Sequence, residues 1–221
     1  MTDRKSLTAD GSVTFYSDEY EEAYHSPSGA LTEAEKKYAE VCRISDRDEV
    51  DILDICFGLG YNSAAAIDNF DGKRLSIVGL ESYQGIIDEI VRLVDGAEYP
   101  FECNEMMKKV AATGSYANDV VNIRLVMGDA RETIKSLKDS SFDCVFLDPF
   151  SPKKCPELWT EEFFSEIYRV LRKGGMVSTY SCARIVRENF AAAGFTVKEG
   201  PVVGRRSPGT VALKQEDRDR R

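Results

Sequence analysis

The sequence predicts an α/β fold with a doubly wound, mostly parallel sheet, and two observations carry this prediction. Five short apolar runs, rich in β-branched or aromatic residues, have the length and composition of strands that are buried on both faces. These runs are residues 53–56, 75–80, 123–127, 142–147 and 176–180. Helix-like stretches separate them, and such alternation builds a parallel sheet with right-handed crossovers.

The helix-like stretches have recognisable spacing and ends. They cover residues 62–70, 86–94, 130–137, 160–171 and 183–193. Thr160 before two glutamates is a favourable N-cap, and we expect its helix to stop at Gly174-Gly175. The connection 97–119 is long enough to hold a further helix near residues 106–112, and such insertions often cover active sites.

Both ends of the chain add to this pattern. Residues 11–17 alternate like a strand, and residues 29–42 carry one apolar stripe, as a helix does. Residues 195–198 and 210–214 predict a C-terminal antiparallel hairpin, which brings the sheet to seven strands. We therefore expect a short N-terminal extension packed on the core (1–45), one domain (46–214) and a solvated tail (215–221).

Composition and charge argue against several classes of function. The chain of 221 residues has a formal net charge of −9, which argues against broad, non-specific nucleic-acid binding. No apolar run approaches the roughly 20 residues that span a bilayer, and the N-terminus does not resemble a signal peptide, so we expect a cytoplasmic protein. Six cysteines without a C-x-x-C pair and a single histidine predict no metal site and a reducing compartment.

Acidic residues stand at or near the ends of four predicted strands, at one edge of the sheet. Asp54 precedes a G-x-G turn and suits a cationic amino group, while Glu81 suits the hydroxyls of a ribose and Asp129 an adenine amino group. The fourth acid, Asp148, lies in the segment LDPFSPK. The glycine pattern lacks the third glycine of a dinucleotide site, because Ser63 stands there. The repeated acids predict a nucleoside cofactor, and the pattern resembles the Rossmann-like fold of S-adenosylmethionine-dependent methyltransferases.

Three further segments narrow the resemblance. LDPFSPKKCPELW (147–159), MVSTYSCA (176–183) and the G-R-R at 204–206 together resemble the methyltransferase domain of the MnmC-type enzymes. Residues 16–33 also resemble the start of that domain. The family's aspartate is often followed by glycine, whereas Pro149 follows it here.

The resemblance implies a cofactor, a partner and a reaction. The cofactor would be S-adenosyl-L-methionine, and the partner would be tRNA. The enzyme would methylate the amine of 5-aminomethyl-(2-thio)uridine at the wobble position. Since the sequence leaves no room for the oxidase domain of bifunctional relatives, we expect methyl transfer alone, with a separate enzyme supplying the aminomethyl intermediate.

The residue pattern and the resemblance together predict the site residues. Asp148 would orient the acceptor amine and accept a hydrogen bond from it, and Phe150 would border the base. The expected cofactor-binding residues are Ser26, Gly29, Asp54, Phe57, Gly58, Gly60, Asn62, Glu81, Asp129, Ala130 and Asp148. The expected substrate-binding residues are Pro149, Lys153, Lys154, Ser178, Tyr180, Arg205 and Arg206, the basic ones through phosphates.

Alternatives remain open at this point. A polyamine-type aminopropyl- or methyltransferase would use the same acids and suit the negative charge, and a non-catalytic cofactor-binding scaffold would not need Asp148. Convergence of the four basic residues at the site mouth would favour tRNA. Trp159 fits a core anchor better than a stacking platform, and His25 fits cofactor-side packing and a surface turn equally.

Overall fold

The computed structural model describes residues 4–204 and 207–215. A small antiparallel sheet comes first, formed by β1 (Arg4–Leu7), β2 (Val13–Ser17) and β3 (Glu22–Ala23) in that order. The larger sheet follows and contains β4 (Glu49–Ile55), β5 (Arg74–Glu81), β6 (Ser115–Ala117), β7 (Val121–Met127), β8 (Phe142–Leu147), β9 (Leu171–Thr179), β10 (Thr196–Glu199) and β11 (Thr210–Leu213).

The larger sheet has the strand order β10-β11-β9-β8-β4-β5-β7-β6. The five central strands from β9 to β7 run parallel, and both edges are antiparallel. The predicted α/β class and the C-terminal hairpin, β10 with β11, are therefore confirmed. The described sheet has eight strands and not seven, because the three-residue β6 in the long connection adds an edge strand that its short sequence does not reveal.

The helices lie between the strands along the chain and pack against the sheet. They are α1 (Ala30–Glu33), α2 (Tyr61–Asp68), α3 (Gln84–Asp95), α4 (Asn104–Thr113), α5 (Ala130–Thr133), α6 (Glu161–Val170) and α7 (Arg184–Ala192). The first continues directly into a π-helical segment, Ala34–Ala39.

One expected helix end is wrong. The Thr160 hydroxyl caps α6 as predicted, accepting from the Phe163 amide at 3.2 Å. The helix, however, ends at Val170, and β9 begins at the next residue. Gly174 lies inside that strand with φ +77°, and its amide donates to the Lys214 carbonyl oxygen at 2.8 Å, so the glycine pair serves an irregular strand and not a helix end.

Two apolar clusters pack on opposite faces of the sheet, as the alternation along its strands requires. Ile52 belongs to one cluster and Leu53 to the other. Val13 and Phe15 of the N-terminal sheet join the first cluster, so this part of the chain packs on the main core. The boundary between extension and domain at residue 45 stays a prediction.

Trp159 is a core residue of the second cluster. It is 2% exposed, and its indole N–H donates to the Phe150 carbonyl oxygen at 2.8 Å. This contact fixes the loop after β8 to the core. Over the ranges that the structure describes, no helix has the length and apolar character to cross a bilayer, and no three metal-ligating side chains form a group.

Candidate active site

A cavity of about 540 Å³ opens where the parallel strands β4, β5 and β8 end. A smaller cavity of about 180 Å³ adjoins it toward the end of β7 and shares six of its lining residues. Both lie outside the carboxyl ends of the strands, where open α/β sheets bind ligands. The larger one falls in the size range of small-molecule and cofactor sites.

Glu81, the last residue of β5, organises one side of this cavity. Its Oε2 accepts from the Gly58 amide at 2.9 Å, and its Oε1 accepts from the amides of Ser82 and Tyr83 at 2.8 and 2.9 Å. Burial raises the pKa of this carboxyl, and the three amide donors oppose that shift. The carboxylate is thereby fixed at the cavity wall, and Oε2, which accepts from a single amide, keeps acceptor capacity toward a ligand.

The loop after β4 turns sharply to pass beside Glu81. Cys56, Gly58 and Gly60 have φ values of +64°, +55° and +69°, and for a cysteine this conformation is strained. The amides of Cys56 and Phe57 both donate to the Leu80 carbonyl oxygen at 3.0 Å. A Cβ at Gly60 would lie 2.7 Å from the Phe57 ring, so Gly60 and Phe57 shape the loop from behind and do not line the cavity.

Asp148 follows β8 and lines the same cavity. Its Oδ1 accepts from the Tyr38 hydroxyl at 2.6 Å, and its Oδ2 accepts from the Asn62 side-chain amide at 2.9 Å. Burial raises the pKa of Asp148 to about 6, and these two hydrogen bonds limit the rise. The group is a carboxylate at neutral pH and a stronger base than an ordinary aspartate.

Asp54 does not reach the cavity, which corrects the expectation that it binds the cofactor. It is fully buried, its Oδ2 accepts from the Ser63 hydroxyl at 2.6 Å, and its Oδ1 has no hydrogen-bond partner. Burial raises the pKa of Asp54 to about 8, so this carboxyl is protonated at pH 7. The side chain points toward α2 because it stands one residue before the strand's end, where side chains alternate between faces.

Aromatic rings form the other side of the cavity. Tyr20 stacks on Phe150 with a centroid distance of 4.3 Å and an interplanar angle of 18°, and Tyr24 meets Phe150 edge-on at 4.9 Å. Tyr180 also lines the cavity, and its hydroxyl donates to the Pro149 carbonyl oxygen at 2.9 Å. Phe150 borders the cavity, but one of its faces is covered by Tyr20.

The turn between β2 and β3 is held on the loop after β8 by two polar contacts besides the ring stack. Glu22 accepts from the Ser151 amide at 2.9 Å, and Glu21 pairs with Lys154 at 2.6 Å. The ion pair is exposed and lowers the pKa of Glu21. Lys154, expected to bind a phosphate, is therefore occupied by an acidic residue of this turn.

The structure brings only part of the predicted site together. Predicted residues that line the larger cavity are Ser26, Gly58, Glu81, Asp148, Pro149, Phe150 and Tyr180, and Asp129 and Ala130 line the smaller one. Asp129 caps α5 and pairs with Arg131. Predicted residues that line neither cavity are Gly29, Asp54, Phe57, Gly60, Asn62, Lys153, Lys154 and Ser178. Arg205 and Arg206 lie outside the described residues.

Three of these placements have a clear physical reason. A Cβ at Gly29 would lie 2.1 Å from an Asp10 carboxylate oxygen, so this glycine accommodates Asp10. Ser178 is 1% exposed, and its hydroxyl donates to the Lys37 carbonyl oxygen, which makes it a backbone anchor and not a substrate contact. Asn62 reaches the site indirectly, through Asp148.

Sequence reasoning missed the contribution of the N-terminal residues to the cavity wall. The residues involved are Ser17, Glu19, Tyr20, Glu22, Ala23, Tyr24, Pro27 and Glu33. Their signals in the sequence were the dense run of tyrosines and glutamates between residues 16 and 24 and the resemblance of residues 16–33 to the start of the methyltransferase domain. His25 also lines the cavity, and burial lowers its pKa to about 4, so its ring is neutral and accepts or donates one hydrogen bond with Thr14 at 3.0 Å.

Comparison with known proteins agrees with this geometry. Residues 97–215 match a family model described as S-adenosyl-L-methionine-dependent methyltransferase. An uncharacterized protein of Methanocaldococcus jannaschii is 35% identical over 94% of this chain and 58% of its own length. The tRNA 5-methylaminomethyl-2-thiouridine biosynthesis bifunctional protein MnmC of Pseudomonas fluorescens is 29% identical over 84% of this chain. The chain spans 31% of that MnmC protein.

Two solved structures resemble this chain. The crystal structure of MNMC2 from Aquifex aeolicus superposes with a TM-score of 0.82 at 32% identity, covering 97% of this chain and 71% of that one. A spermidine synthase structure superposes with a TM-score of 0.58 at 12% identity, which shows a shared fold alone.

The residues of the cavity fit the cofactor that the family description names. The fixed Glu81 carboxylate keeps acceptor capacity on Oε2 for a ribose hydroxyl, and the smaller cavity beyond it, lined by Asp129 and Ala130, gives room for a base. Fold, cavity and family match agree: the chain belongs to the S-adenosyl-L-methionine-dependent methyltransferases, and S-adenosyl-L-methionine is its cofactor.

Proposed function

We propose that this protein methylates the primary amine of 5-aminomethyl-(2-thio)uridine at the wobble position of tRNA, giving 5-methylaminomethyl-(2-thio)uridine. The MnmC relative and the MNMC2 structure support a role in this class of tRNA modification. A separate enzyme would supply the aminomethyl intermediate. A cytoplasmic location stays a prediction.

One observation carries the choice of an amine acceptor. Five carboxylates line the larger cavity, and among the residues that the structure describes no lysine or arginine does so, although Lys37 pairs with one of the five, Glu33, from outside the lining. They are Glu19, Glu22, Glu33, Glu81 and Asp148. A field of this sign attracts a cation and repels a phosphate, so the group that enters should be an ammonium.

The aromatic wall supports a planar carrier for that amine. Phe150, Tyr20 and Tyr24 lie beside Asp148, so a ring that enters there meets aromatic surface while its amine reaches the carboxylate. Aromatic side chains are the usual partners of an unstacked base. A flipped uridine with a short aminomethyl arm has this combination of ring and cation.

Asp148 would accept, through a hydrogen bond, the proton that the acceptor ammonium must lose before it attacks. An alkyl ammonium has a pKa of about 10, and only the neutral amine has a lone pair for attack. The bound cofactor supplies an electrophilic methyl group. Asp148 would accept a hydrogen bond from the amine, hold it in line and stabilise the positive charge that returns to nitrogen. Its raised pKa makes it a better proton acceptor than an ordinary aspartate.

A small polyamine-type acceptor remains the second candidate, because the same row of carboxylates suits a polycation. Of the basic residues that would favour tRNA, only the two lysines are described: Lys154 is paired with Glu21, and Lys153 is exposed and does not line the cavity. A catalytically silent scaffold is the third candidate, and it leaves the hydrogen-bonded Asp148 without a role.

Incubation with methyl-labelled S-adenosylmethionine separates these candidates. Bulk tRNA from cells that lack the gene is one acceptor, and a set of polyamines is the other. We expect label in a nucleoside from the wobble position, identified by digestion and mass spectrometry. Label in the polyamines alone would support the second candidate, and cofactor binding without any transfer would support the third.

A further inference from the structure

We propose that Tyr38 and Asn62 are positioning residues that clamp the Asp148 carboxylate from both sides, fixing its orientation and favouring its charged form. The proposal rests on the proposed role of Asp148 as the amine-binding group. Neither residue lines the cavity, so neither is expected to touch the acceptor.

The geometry divides the two oxygens of Asp148 between two donors. Tyr38 donates to Oδ1 at 2.6 Å, and Asn62 donates to Oδ2 at 2.9 Å. A carboxylate has about four acceptor sites, so each oxygen keeps capacity toward the cavity. Two donors on different oxygens prevent rotation about the terminal side-chain bond and keep those sites aimed at the incoming amine.

Both donors are themselves immobile. Tyr38 is 1% exposed and packs edge-on against Phe146 with a centroid distance of 5.6 Å, and Asn62 is 6% exposed at the second position of α2. Tyr38 belongs to the π-helical segment Ala34–Ala39, and such irregular helical turns are frequent at functional sites. Ser178 donates to the carbonyl of the neighbouring Lys37, which ties this segment to β9.

Several ionisable groups surround Asp148 and its two donors. The ionisable groups that act on Asp148, Tyr38 or both from the packed elements are Glu33, Lys37, Asp54, Cys56 and Tyr180. Burial and Glu33 favour the neutral form of Asp148, whereas Lys37 and the two donors favour the anion. Removal of one donor should therefore raise the pKa of Asp148 above about 6.

The test is a carbon-13 titration of labelled aspartate carboxyls, in which Asp148→Asn identifies the Asp148 signal. Tyr38→Phe removes the hydroxyl and keeps the ring, and Asn62→Ala removes the amide at a position where alanine suits the helix. We expect each variant to move the Asp148 midpoint upward by about one pH unit, because the lost hydrogen bond is charge-assisted. The acid limb of the methyl-transfer rate should move in the same direction.

Tyr61→Phe is the matched control. Its buried hydroxyl donates to the Val13 carbonyl oxygen at 3.0 Å and has no contact with Asp148, so its loss should leave the midpoint unchanged. An unchanged midpoint in both Tyr38→Phe and Asn62→Ala, or an equal shift in Tyr61→Phe, would overturn the clamp. The titration needs no acceptor, so failure of the clamp is distinguishable from failure to methylate tRNA.

Discussion

The two sides of the cavity are built in different ways. The side that we propose for the cofactor consists of adjacent parallel strand ends, where the Glu81 carboxylate accepts hydrogen bonds from three backbone amides of its own turn and the neighbouring loop. The side that we propose for the acceptor joins two segments about 130 residues apart in sequence, through a ring stack, one amide contact and one exposed ion pair.

The first side of the cavity is rigid, and the second is more adaptable. Three backbone amides from the short turns after β4 and β5 hold the Glu81 carboxylate, so the first side is preorganised. The acceptor side depends on side chains that are partly exposed, and an exposed ion pair such as Glu21 with Lys154 contributes little stability. We expect cofactor affinity to depend on the first side and acceptor recognition on the second, with Asp148 at their junction.

The largest effect should come from Asp148→Asn, which removes the charge and keeps the shape. Turnover should fall by about 10²–10⁴-fold, because a positioned proton acceptor contributes on that scale. Cofactor affinity, measured by calorimetry, should change less than about threefold. A variant that turns over at the wild-type rate would remove Asp148 from the mechanism.

Asp54→Asn tests whether the buried Asp54 carboxyl, unlike the carboxylates of the cavity, is protonated in the folded protein. The folded-state pKa of Asp54 is raised to about 8, so its contribution to stability is full below about pH 4 and is lost as pH rises toward 8. Relative to Asp54→Asn, the wild type should lose about 1.4 kcal/mol of unfolding free energy per pH unit in that window. Urea unfolding at several pH values checks this. A difference that does not vary with pH would mean that Asp54 is ionised in the fold.

Glu81→Ala should weaken cofactor binding by about 10²-fold, since the loop loses the carboxylate that holds the Gly58, Ser82 and Tyr83 amides. The control is Glu98→Ala, which removes an exposed partner of Lys5. Calorimetric titration with S-adenosylmethionine compares the two. Equal affinities in both variants would show that the cofactor does not depend on this strand end.

Tyr20→Ala should have the smallest effect and should act on the acceptor alone. Loss of an aromatic pair removes about 0.5–1.5 kcal/mol beyond buried area, so KM for the acceptor should rise up to about tenfold. Cofactor affinity should stay at the wild-type value, because Glu81 and its donors are untouched. If cofactor affinity falls as much as acceptor affinity, the two sides are not separate.

The sequence predicted the sheet and its acids well, because strand composition and turn residues are local signals. The bounds of β8 agree with the predicted 142–147, and Glu81 and Asp148 do line the cavity. Asp54 was misplaced because strand alternation turns it away from the edge. The contact of Tyr38 with Asp148 spans 110 residues, and no local pattern reveals such a pair.

Recognition of a cationic amine by Asp148 is tested most directly by binding, without turnover. Two anticodon stem-loops, one with 5-aminomethyluridine and one with plain uridine at the wobble position, are titrated into the protein loaded with S-adenosylhomocysteine. The wild type should bind the aminomethyl stem-loop at least tenfold more tightly, and Asp148→Asn should bind both alike. Equal binding of the two stem-loops by the wild type would contradict the assignment of Asp148 to the amine.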